Sequence, residues 1–212
     1  MWNTPDTQKR KQNKMKTLWE PKKFYMEDTL SVSRALIGKK LVRNINGKDL
    51  VMEITETEAY CGIGDKASHA YKGRRTKRTR TMYEEGGTIY IYLIYGMYFC
   101  LNIVTEERDN PCAVLIRGGR PVSGLDEMSI LRYKKPYDEL TSYQIKNFAN
   151  GPGKLCKAMG ITKELNGKKL FSKELYISSE APEKDIIIET SPRINIDYAE
   201  EYKDKLWRFF RK

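Results

Sequence analysis

The segment from Ile89 to Val104 restricts the fold more than any other part of the chain. It is the most apolar run in the sequence, it is rich in tyrosine, and Tyr95-Gly96 interrupts it. The run is too short for a helix that crosses a membrane, and its β-branched and aromatic residues are typical of strands. It therefore predicts a strand, a tight turn at Tyr95-Gly96 and a second strand.

The other segments predict one mixed α/β domain of the α+β kind, with a curved, largely antiparallel sheet, surrounding helices and a protruding hairpin. Asp28 or Thr29 can cap a helix that ends near Ile37 and Gly38. The Asn-Gly pair within Leu41–Leu50 predicts a turn between two strands. Residues 21–212 are expected to form the domain and residues 1–20 a flexible basic tail. The remaining predicted elements are strands at 112–117, about 170–177 and about 185–197, and helices at 125–133 and 150–159.

The chain carries a large excess of positive charge. Lysine and arginine total 39 against 28 acidic residues, which gives a formal net charge of +11. Such an excess suits a polyanionic partner, because contacts with phosphates release counterions and steer the encounter. The alternative is a basic protein that is merely soluble.

The four cysteines favour a reducing compartment. They are widely spaced and form no C-x-x-C pair, which fits buried free thiols better than a disulfide framework or a zinc site. The first residues lack the apolar core of a secretory signal. The expectation is a soluble, intracellular protein, located with its polyanionic partner in a bacterial cytoplasm or nucleoid or in a eukaryotic nucleus.

The strand that follows the Asn-Gly pair leads into an acidic motif. One face of Leu50–Ile54 is apolar, and the same alternation adds Glu56, Glu58 and Tyr60 to that face. Carboxylates on the apolar side of a strand are costly to bury unless they are paired or have a function. The alternative is that the strand ends by Thr55 and that both glutamates are solvated.

A block of cations lies between this motif and the hairpin. The segment 72–80 holds six basic residues in nine, separated by Gly and Thr. Without apolar periodicity it is expected to be a loop or an extended segment. Contact with phosphates is one interpretation and a solvated run of charge is the other. The position of the block favours contact with phosphates.

Tyr95 stands at the tip of the predicted hairpin, where a ring gains little from the protein core because the tip points outward. A ring there suits a wedge between stacked bases, which replaces a nucleotide that has been rotated out. The alternative is an ordinary aromatic-rich hairpin, and the neighbouring cations weigh against it.

Two polar residues are further candidates. His69 is the only histidine, so it has no second histidine with which to bind a metal. It is either a buried structural residue or a hydrogen-bonding group in a base pocket. Asn102 lies among apolar residues of the second hairpin strand, and a buried amide there must find partners or discriminate a ligand.

Several motifs follow one another in order over residues 25–210. They are Glu56-Thr-Glu-Ala-Tyr60, His69, Gly73-Arg74, Arg78, the segment 87–102 and Gly151-Pro-Gly-Lys-Leu-Cys156. This set resembles the alkyladenine (3-methyladenine) DNA glycosylase family. The resemblance implies a monofunctional enzyme of base excision repair. Such an enzyme flips alkylated purines such as 3-methyladenine and 7-methylguanine out of the duplex and hydrolyses their N-glycosidic bond. Deaminated and etheno purines are further candidate substrates.

The resemblance also implies roles for individual residues. Glu58 would activate the water that attacks C1′ of the sugar, and Arg117 and the backbone carbonyl of Ile194 would help to hold it. Tyr60 and Tyr92 would sandwich the flipped base. His69 would complete the pocket by stacking and hydrogen bonding. Asn102 would disfavour normal guanine.

DNA contacts follow from the same resemblance. Tyr95 would be the intercalating wedge, with Met97 and Tyr98 beside it in the minor groove. The residues that fall where the family grips the DNA backbone are Arg74, Thr76, Arg78 and Lys154.

This chemistry is consistent with the residue types. Cleavage builds oxocarbenium character on the sugar, which a nearby carboxylate stabilises while it polarises water. No lysine belongs to the proposed catalytic residues, so water rather than an amine should attack and leave an abasic site in an intact strand. No metal and no cofactor is expected. The expected partner is double-stranded DNA with damaged purines, and the protein is expected to bind it as a monomer. The rival hypothesis is a non-catalytic nucleic-acid binder that uses a basic loop and an aromatic sheet.

Overall fold

A computed structural model describes residues 18–182 and 185–212 of the chain. Most of the predicted basic tail, residues 1–17, lies outside the described residues. Trp19 forms a bridge with Ser178, and the N–H of Glu20 donates to the carbonyl of Ile177 at 2.9 Å. Residues 19 and 20 therefore lie against the sheet.

The described strands form one curled antiparallel sheet, as predicted. Its central part runs in the order β3-β4-β5-β2-β1-β6, and β8 pairs with both β2 and β7. The strands are β1 (Lys40–Ile45), β2 (Lys48–Tyr60), β3 (Ile89–Ile94), β4 (Tyr98–Thr105), β5 (Cys112–Ser123), β6 (Leu175–Ile177), β7 (Ile188–Ser191) and β8 (Arg208–Arg211).

Short helices surround the sheet. Asp28 caps α2 by accepting hydrogen bonds from the N–H groups of Leu30 and Ser31, and α2 ends at Ala35, slightly before the predicted end. The α-helices are α1 (Lys22–Tyr25), α2 (Thr29–Ala35), α3 (Leu125–Tyr133), α4 (Ser142–Lys146) and α5 (Pro152–Ala158). Short 3₁₀ segments lie at Gly62–Gly64, Tyr71–Gly73, Arg80–Tyr83, Tyr137–Glu139, Lys163–Leu165 and Asp197–Asp204. No helix in the described part of the chain is both long and apolar enough to span a bilayer.

The hairpin β3–β4 has the predicted turn at its tip. Tyr95 and Gly96 both have positive φ, at 53° and 68°, and the N–H of Met97 donates to the carbonyl of Ile94 at 3.2 Å. Two successive residues with positive φ make a type I′ turn, whose twist matches that of the strands. Glycine adopts this conformation easily, whereas a tyrosine does not.

The two faces of the hairpin differ. Ile89 and Ile91 of β3 belong to the main core, while Tyr90 and Tyr92 alternate with them onto the other face. On β4, Leu101 likewise belongs to the core. The sequence pattern thus builds a sheet with one face against α2 and α5 and a second, tyrosine-rich face.

Register shifts in β2 place Glu58 and Tyr60 of the acidic motif on the opposite face of the sheet from the predicted one. The strand continues to Tyr60, so the alternative that it ends by Thr55 is wrong. The predicted alternation is also wrong, because the pairing with β5 shifts between Ile54 and Glu56 and again before Thr57. Such bulges bend a strand and re-aim its side chains. Ile54 therefore packs in the main core, whereas Glu58 and Tyr60 face the tyrosine side.

Candidate active site

A cavity of about 710 Å³ opens on the tyrosine-rich face of the sheet. Strands β2 to β5 form its floor, and α5 and the segment after β7 contribute to its walls. It brings together most of the residues singled out from the sequence: Tyr60, His69, Arg78, Tyr92, Tyr95, Tyr98, Asn102, Arg117, Lys154 and Ile194.

Glu58 lies directly behind the cavity wall and is fully buried. The hydroxyl of Tyr60 donates to its Oε2 at 2.9 Å, and the backbone N–H of Ile194 donates to its Oε1 at 2.8 Å. Nη1 of Arg117 lies 3.4 Å from the same Oε1. Both carboxylate oxygens are thus held by residues that border the cavity, which fixes the orientation of the group.

The electrostatics of Glu58 are set by opposing effects. Burial raises the pKa of this carboxyl above its usual value, and the nearby charge of Glu56 adds to the increase. Arg117, the N–H of Ile194 and the hydroxyl of Tyr60 lower the pKa part of the way back. A carboxylate that is buried, paired and hydrogen-bonded in a cleft is a candidate for catalysis.

Glu56 and Arg117 form a second ionic group beside Glu58. Nε of Arg117 donates to Oε1 of Glu56 at 3.0 Å, and Nε of Arg208 donates to the same oxygen at 2.6 Å. Arg117 therefore bridges two carboxylates and is held in place by Glu56. Sequence reasoning did not assign a role to Glu56 or to Arg208, although the spacing of the two glutamates was visible.

Aromatic rings form the inner part of the cavity. The ring of His69 meets that of Tyr92 edge-on, with 4.6 Å between the centroids. Nδ1 of His69 lies 3.0 Å from the hydroxyl of Tyr90, and Nη2 of Arg78 lies 3.3 Å from Nε2. Since a guanidinium can only donate, Nε2 is the acceptor, and the proton sits on Nδ1 and is donated to Tyr90.

The same surroundings keep His69 neutral. Burial, followed by the charges of Arg78 and Arg74, lowers the pKa of His69 to about 4. The imidazole therefore carries no charge at neutral pH and presents a lone pair to Arg78 rather than a second proton.

The single histidine makes this prediction simple to test. In a proton NMR titration, the C2 proton of His69 should show no inflection around pH 6.5, the usual histidine pKa, because protonation is delayed to more acidic pH. Arg78→Ala should move the inflection to higher pH, since it removes the larger of the two arginine effects. An inflection at the usual value in the wild-type protein would show that the imidazole is solvated and unperturbed.

Asn102 has a restricted side chain. Its Nδ2 donates to the carbonyls of Tyr90 at 3.2 Å and Cys100 at 3.4 Å, and the residue is buried at the cavity floor. Its Oδ1 accepts no hydrogen bond from any residue in the described ranges. A fixed amide with a carbonyl oxygen left over can discriminate between ligands.

The tip of the hairpin is exposed. Tyr95 keeps 73% of its surface accessible and Met97 66%, and Tyr98 is exposed beside them. A bulky residue in a strained backbone conformation at a protein surface suggests a function. Tyr95 and Tyr98 border the cavity, whereas Met97 does not.

The basic residues divide into two groups. Arg74 and Thr76 lie on the exposed loop outside the cavity. The guanidinium of Arg78, by contrast, lies 5.0 Å from the ring centre of Tyr92 and borders the cavity.

Two lysines of α5, Lys154 and Lys157, border the cavity. The prediction of a site without lysine concerned the catalytic residues, and the groups that hold Glu58 belong to Tyr60, Ile194 and Arg117. Nζ of Lys154 donates to Oδ1 of Asn147 at 3.1 Å and of Asn150 at 2.7 Å. In both contacts the Lys154 side chain donates a hydrogen bond to an amide oxygen.

Other features of the site concern thiols and metals. All four cysteines are free, as expected, but Cys61 is only partly buried, whereas the other three are buried. Cys100 borders the cavity. Within residues 18–182 and 185–212, no group of His, Cys, Asp and Glu side chains is arranged to hold a metal ion.

Comparison with known proteins links the chain to one family of DNA glycosylases. A sequence model of the methylpurine-DNA glycosylase family matches residues 23–212. A protein of Clostridium perfringens (strain SM101 / Type A), provisionally named 3-methyladenine DNA glycosylase, is 56% identical over 191 residues, which cover 89% of this chain and 93% of that protein. Proteins with the same provisional name from Clostridium novyi (strain NT) and Clostridioides difficile (strain 630) are 52% and 48% identical. These two alignments cover 90% and 89% of this chain, and 94% and 98% of the relatives.

Proposed function

The chain belongs to the methylpurine-DNA glycosylase family, and on that premise we propose that it rotates alkylated purines out of double-stranded DNA and hydrolyses their N-glycosidic bond. It is a hydrolase of DNA alkylation repair, and base excision repair follows from the family. The proposed substrates are 3-methyladenine and 7-methylguanine, with deaminated and etheno purines as further candidates.

The observation that carries this proposal is the arrangement around Glu58. A carboxylate that is fully buried, held at both oxygens and flanked by Arg117 lies behind the wall of a cavity that can admit a base. As C1′ gains positive charge, such a carboxylate stabilises it and accepts a proton from the attacking water. Arg117 and the backbone at Ile194 are proposed to help to hold that water.

The aromatic residues support recognition of damaged purines. Tyr60 and Tyr92 are proposed to stack on the flipped base, and His69 to close the pocket. A cationic base such as 3-methyladenine gains about 0.5–2 kcal/mol from the face of an aromatic ring. Asn102 is proposed to disfavour normal guanine, because its fixed amide would crowd the exocyclic amino group.

The exposed hairpin and the basic residues support DNA binding. Tyr95 is proposed to fill the gap left by the flipped nucleotide, with Met97 and Tyr98 beside it. The proposed backbone contacts are made by Arg74, Thr76, Arg78 and Lys154.

Substitutions of Arg74 and Arg78 distinguish a residue that contacts only phosphates from one that also contacts the base pocket. Arg74→Ala should weaken binding to damaged and undamaged duplexes alike and reduce the slope of log K against log salt by about 1. Arg78→Ala should likewise weaken binding and reduce the salt slope, and in addition it should raise the pKa of His69. Fluorescence anisotropy across a salt series measures both effects. Unchanged affinity and slope for Arg74→Ala would exclude a phosphate contact there.

We further propose that residues 21–212 act as one domain, as a monomer, in the compartment that holds the DNA. Water remains the proposed nucleophile, since the side chains that contact Glu58 are those of Tyr60 and Arg117, and neither is an amine. The strand should therefore stay intact at the abasic site, and borohydride should trap no covalent complex with DNA. A trapped complex would instead indicate attack by an amine.

The function is tested by incubating the protein with methylated genomic DNA and with duplexes that contain one lesion. Chromatography of the supernatant should reveal free methylated purines, and alkali should then cleave the duplex at the lesion. Specific binding without any release of base would contradict the proposal and favour the non-catalytic binder.

A further inference from the structure

A buried ion pair lies behind the same wall of the cavity. The guanidinium of Arg193 donates to both oxygens of Asp65, with 2.6 Å from Nη1 to Oδ2 and 2.9 Å from Nη2 to Oδ1, and neither side chain is accessible to solvent. Replacement of a buried ion pair by well-packed apolar side chains is often neutral or stabilising. The stability of the fold alone is therefore a weak reason for this pair, and its other contacts indicate a second role.

The pair joins three segments of the chain. Asp65 accepts hydrogen bonds from the N–H groups of Cys61 at 3.1 Å and Ala67 at 3.0 Å. Arg193 donates to the carbonyl of Ala59 at 2.9 Å. The end of β2, the turn that follows it and the segment after β7 are thus fixed relative to one another.

Arg193 is also linked to two of the three groups that hold Glu58, Tyr60 and Ile194. Its guanidinium carbon lies 4.7 Å from the ring centre of Tyr60, whose hydroxyl donates to Oε2 of Glu58. The residue that follows it, Ile194, donates its N–H to Oε1. The ring of Trp207 lies 5.0 Å from the same guanidinium. A shift of this guanidinium would therefore disturb both the ring of Tyr60 and the backbone at Ile194, which donate to the two oxygens of Glu58.

We propose that Asp65 and Arg193 are positioning residues, which hold Tyr60 and Ile194 so that the carboxylate of Glu58 is aimed at the sugar. This inference rests on the function proposed above for Glu58. Neither residue touches the substrate. They act through the two donors, much as outer-shell partners orient the groups that bind a metal.

The consequence is a dependence on pH. The charged neighbours of Glu58 are Arg117 on β5, Glu56 on β2, Arg193, and Arg208 as its partner on β8. The neutral titratable groups around it are Tyr60, Tyr92, Cys100 and Tyr198.

Two of the contacts that lower the pKa of Glu58, from Ile194 and Tyr60, depend on the ion pair. Loss of the pair therefore raises that pKa further. The carboxylate must be ionised to act as a base, so the rate falls on the acid side at a higher pH than in the wild type.

The test uses the full chain with Asp65→Asn, which keeps the size of the side chain and removes its charge, and Arg193→Lys, which keeps a charge and loses the paired geometry. Single-turnover base release from a 3-methyladenine duplex should slow on the order of 100-fold. In Arg193→Lys, which keeps the positive charge near Glu58, the acid limb of the rate–pH profile should move to higher pH. The Kd of both variants for undamaged DNA, whose bases do not stack on Tyr60, should stay close to the wild-type value. Asp65→Glu, which restores the carboxylate, should recover part of the rate.

A matched control is Glu20→Gln, which breaks the largely buried pair of Glu20 with Lys39 away from the cavity. It should lower the melting temperature without moving the pH profile. The inference is overturned if Asp65→Asn and Arg193→Lys lower only the melting temperature, or if neither variant folds, since the pair then serves stability alone. If the wild-type protein releases no base in the same assay, the proposed function fails instead.

Discussion

Glu58→Gln should stop base release almost completely while leaving DNA binding intact. The amide has the size of the carboxylate, but it neither accepts a proton from water nor offers a negative charge to the sugar as C1′ becomes cationic. Loss of both effects should lower the single-turnover rate on a 3-methyladenine duplex by roughly 1000-fold or more. Affinity for the same duplex, measured by anisotropy, should stay equal or increase, because one negative charge near DNA is removed.

Glu53→Gln is the matched control for this experiment. Glu53 lies on the same strand and is also buried, but the arginines that pair with its carboxylate, Arg120 and Arg211, do not border the cavity. The residues that hold Glu58 do border it. Its replacement should affect stability more than the rate. Equal loss of base release in the two variants would mean that any buried carboxylate of β2 is needed for folding, and normal release by Glu58→Gln would remove the assigned base.

Tyr95→Ala should have its main effect on recognition of the lesion. The ring is exposed at the hairpin tip, so its removal costs the protein core nothing. In the complex, however, the gap left by the flipped nucleotide would be empty. Because unstacking costs a few kcal/mol, binding to a lesion duplex and single-turnover release below saturation should fall by roughly 10- to 100-fold. Binding to undamaged DNA should change little.

Tyr143→Ala provides the comparison for the hairpin variant. Tyr143 on α4 is as exposed as Tyr95, at 75% against 73%, but it lies outside the cavity. Its loss should leave both affinities unchanged. A fluorescent base analogue placed opposite or beside the lesion would report flipping directly, and an undiminished flipping signal in Tyr95→Ala would exclude a wedge at this position.

Local sequence was sufficient to predict the hairpin and its tip. The alternation of Ile89 and Ile91 with Tyr90 and Tyr92 separates a core face from a cavity face, and Tyr95-Gly96 marks the only turn within the run. Strand periodicity and turn chemistry depend on neighbouring residues only, so they can be predicted from local sequence without knowledge of the tertiary fold. The residues proposed for the pocket came instead from the resemblance to a family.

The side chains behind the pocket could not be predicted in this way. Asp65 and Arg193 are separated by 128 residues, and no local pattern connects an acid in a turn with an arginine after the seventh strand. The bulges in β2 were missed because they depend on the partner strand, where Gly118 and Gly119 approach Glu56 and Met52 closely. Without the bulges, simple alternation places Glu58 on the side of Ile54.

The most direct test of the proposed function is a crystal structure of the Glu58→Gln variant bound to a duplex with a single etheno or methylated purine. We expect the damaged nucleotide to be rotated into the cavity, with its C1′ one water molecule away from the side chain at position 58. The ring of Tyr95 should occupy the vacated place in the stack. A complex in which the lesion stays within the duplex, or in which position 58 lies far from the bound DNA, would contradict the proposed function.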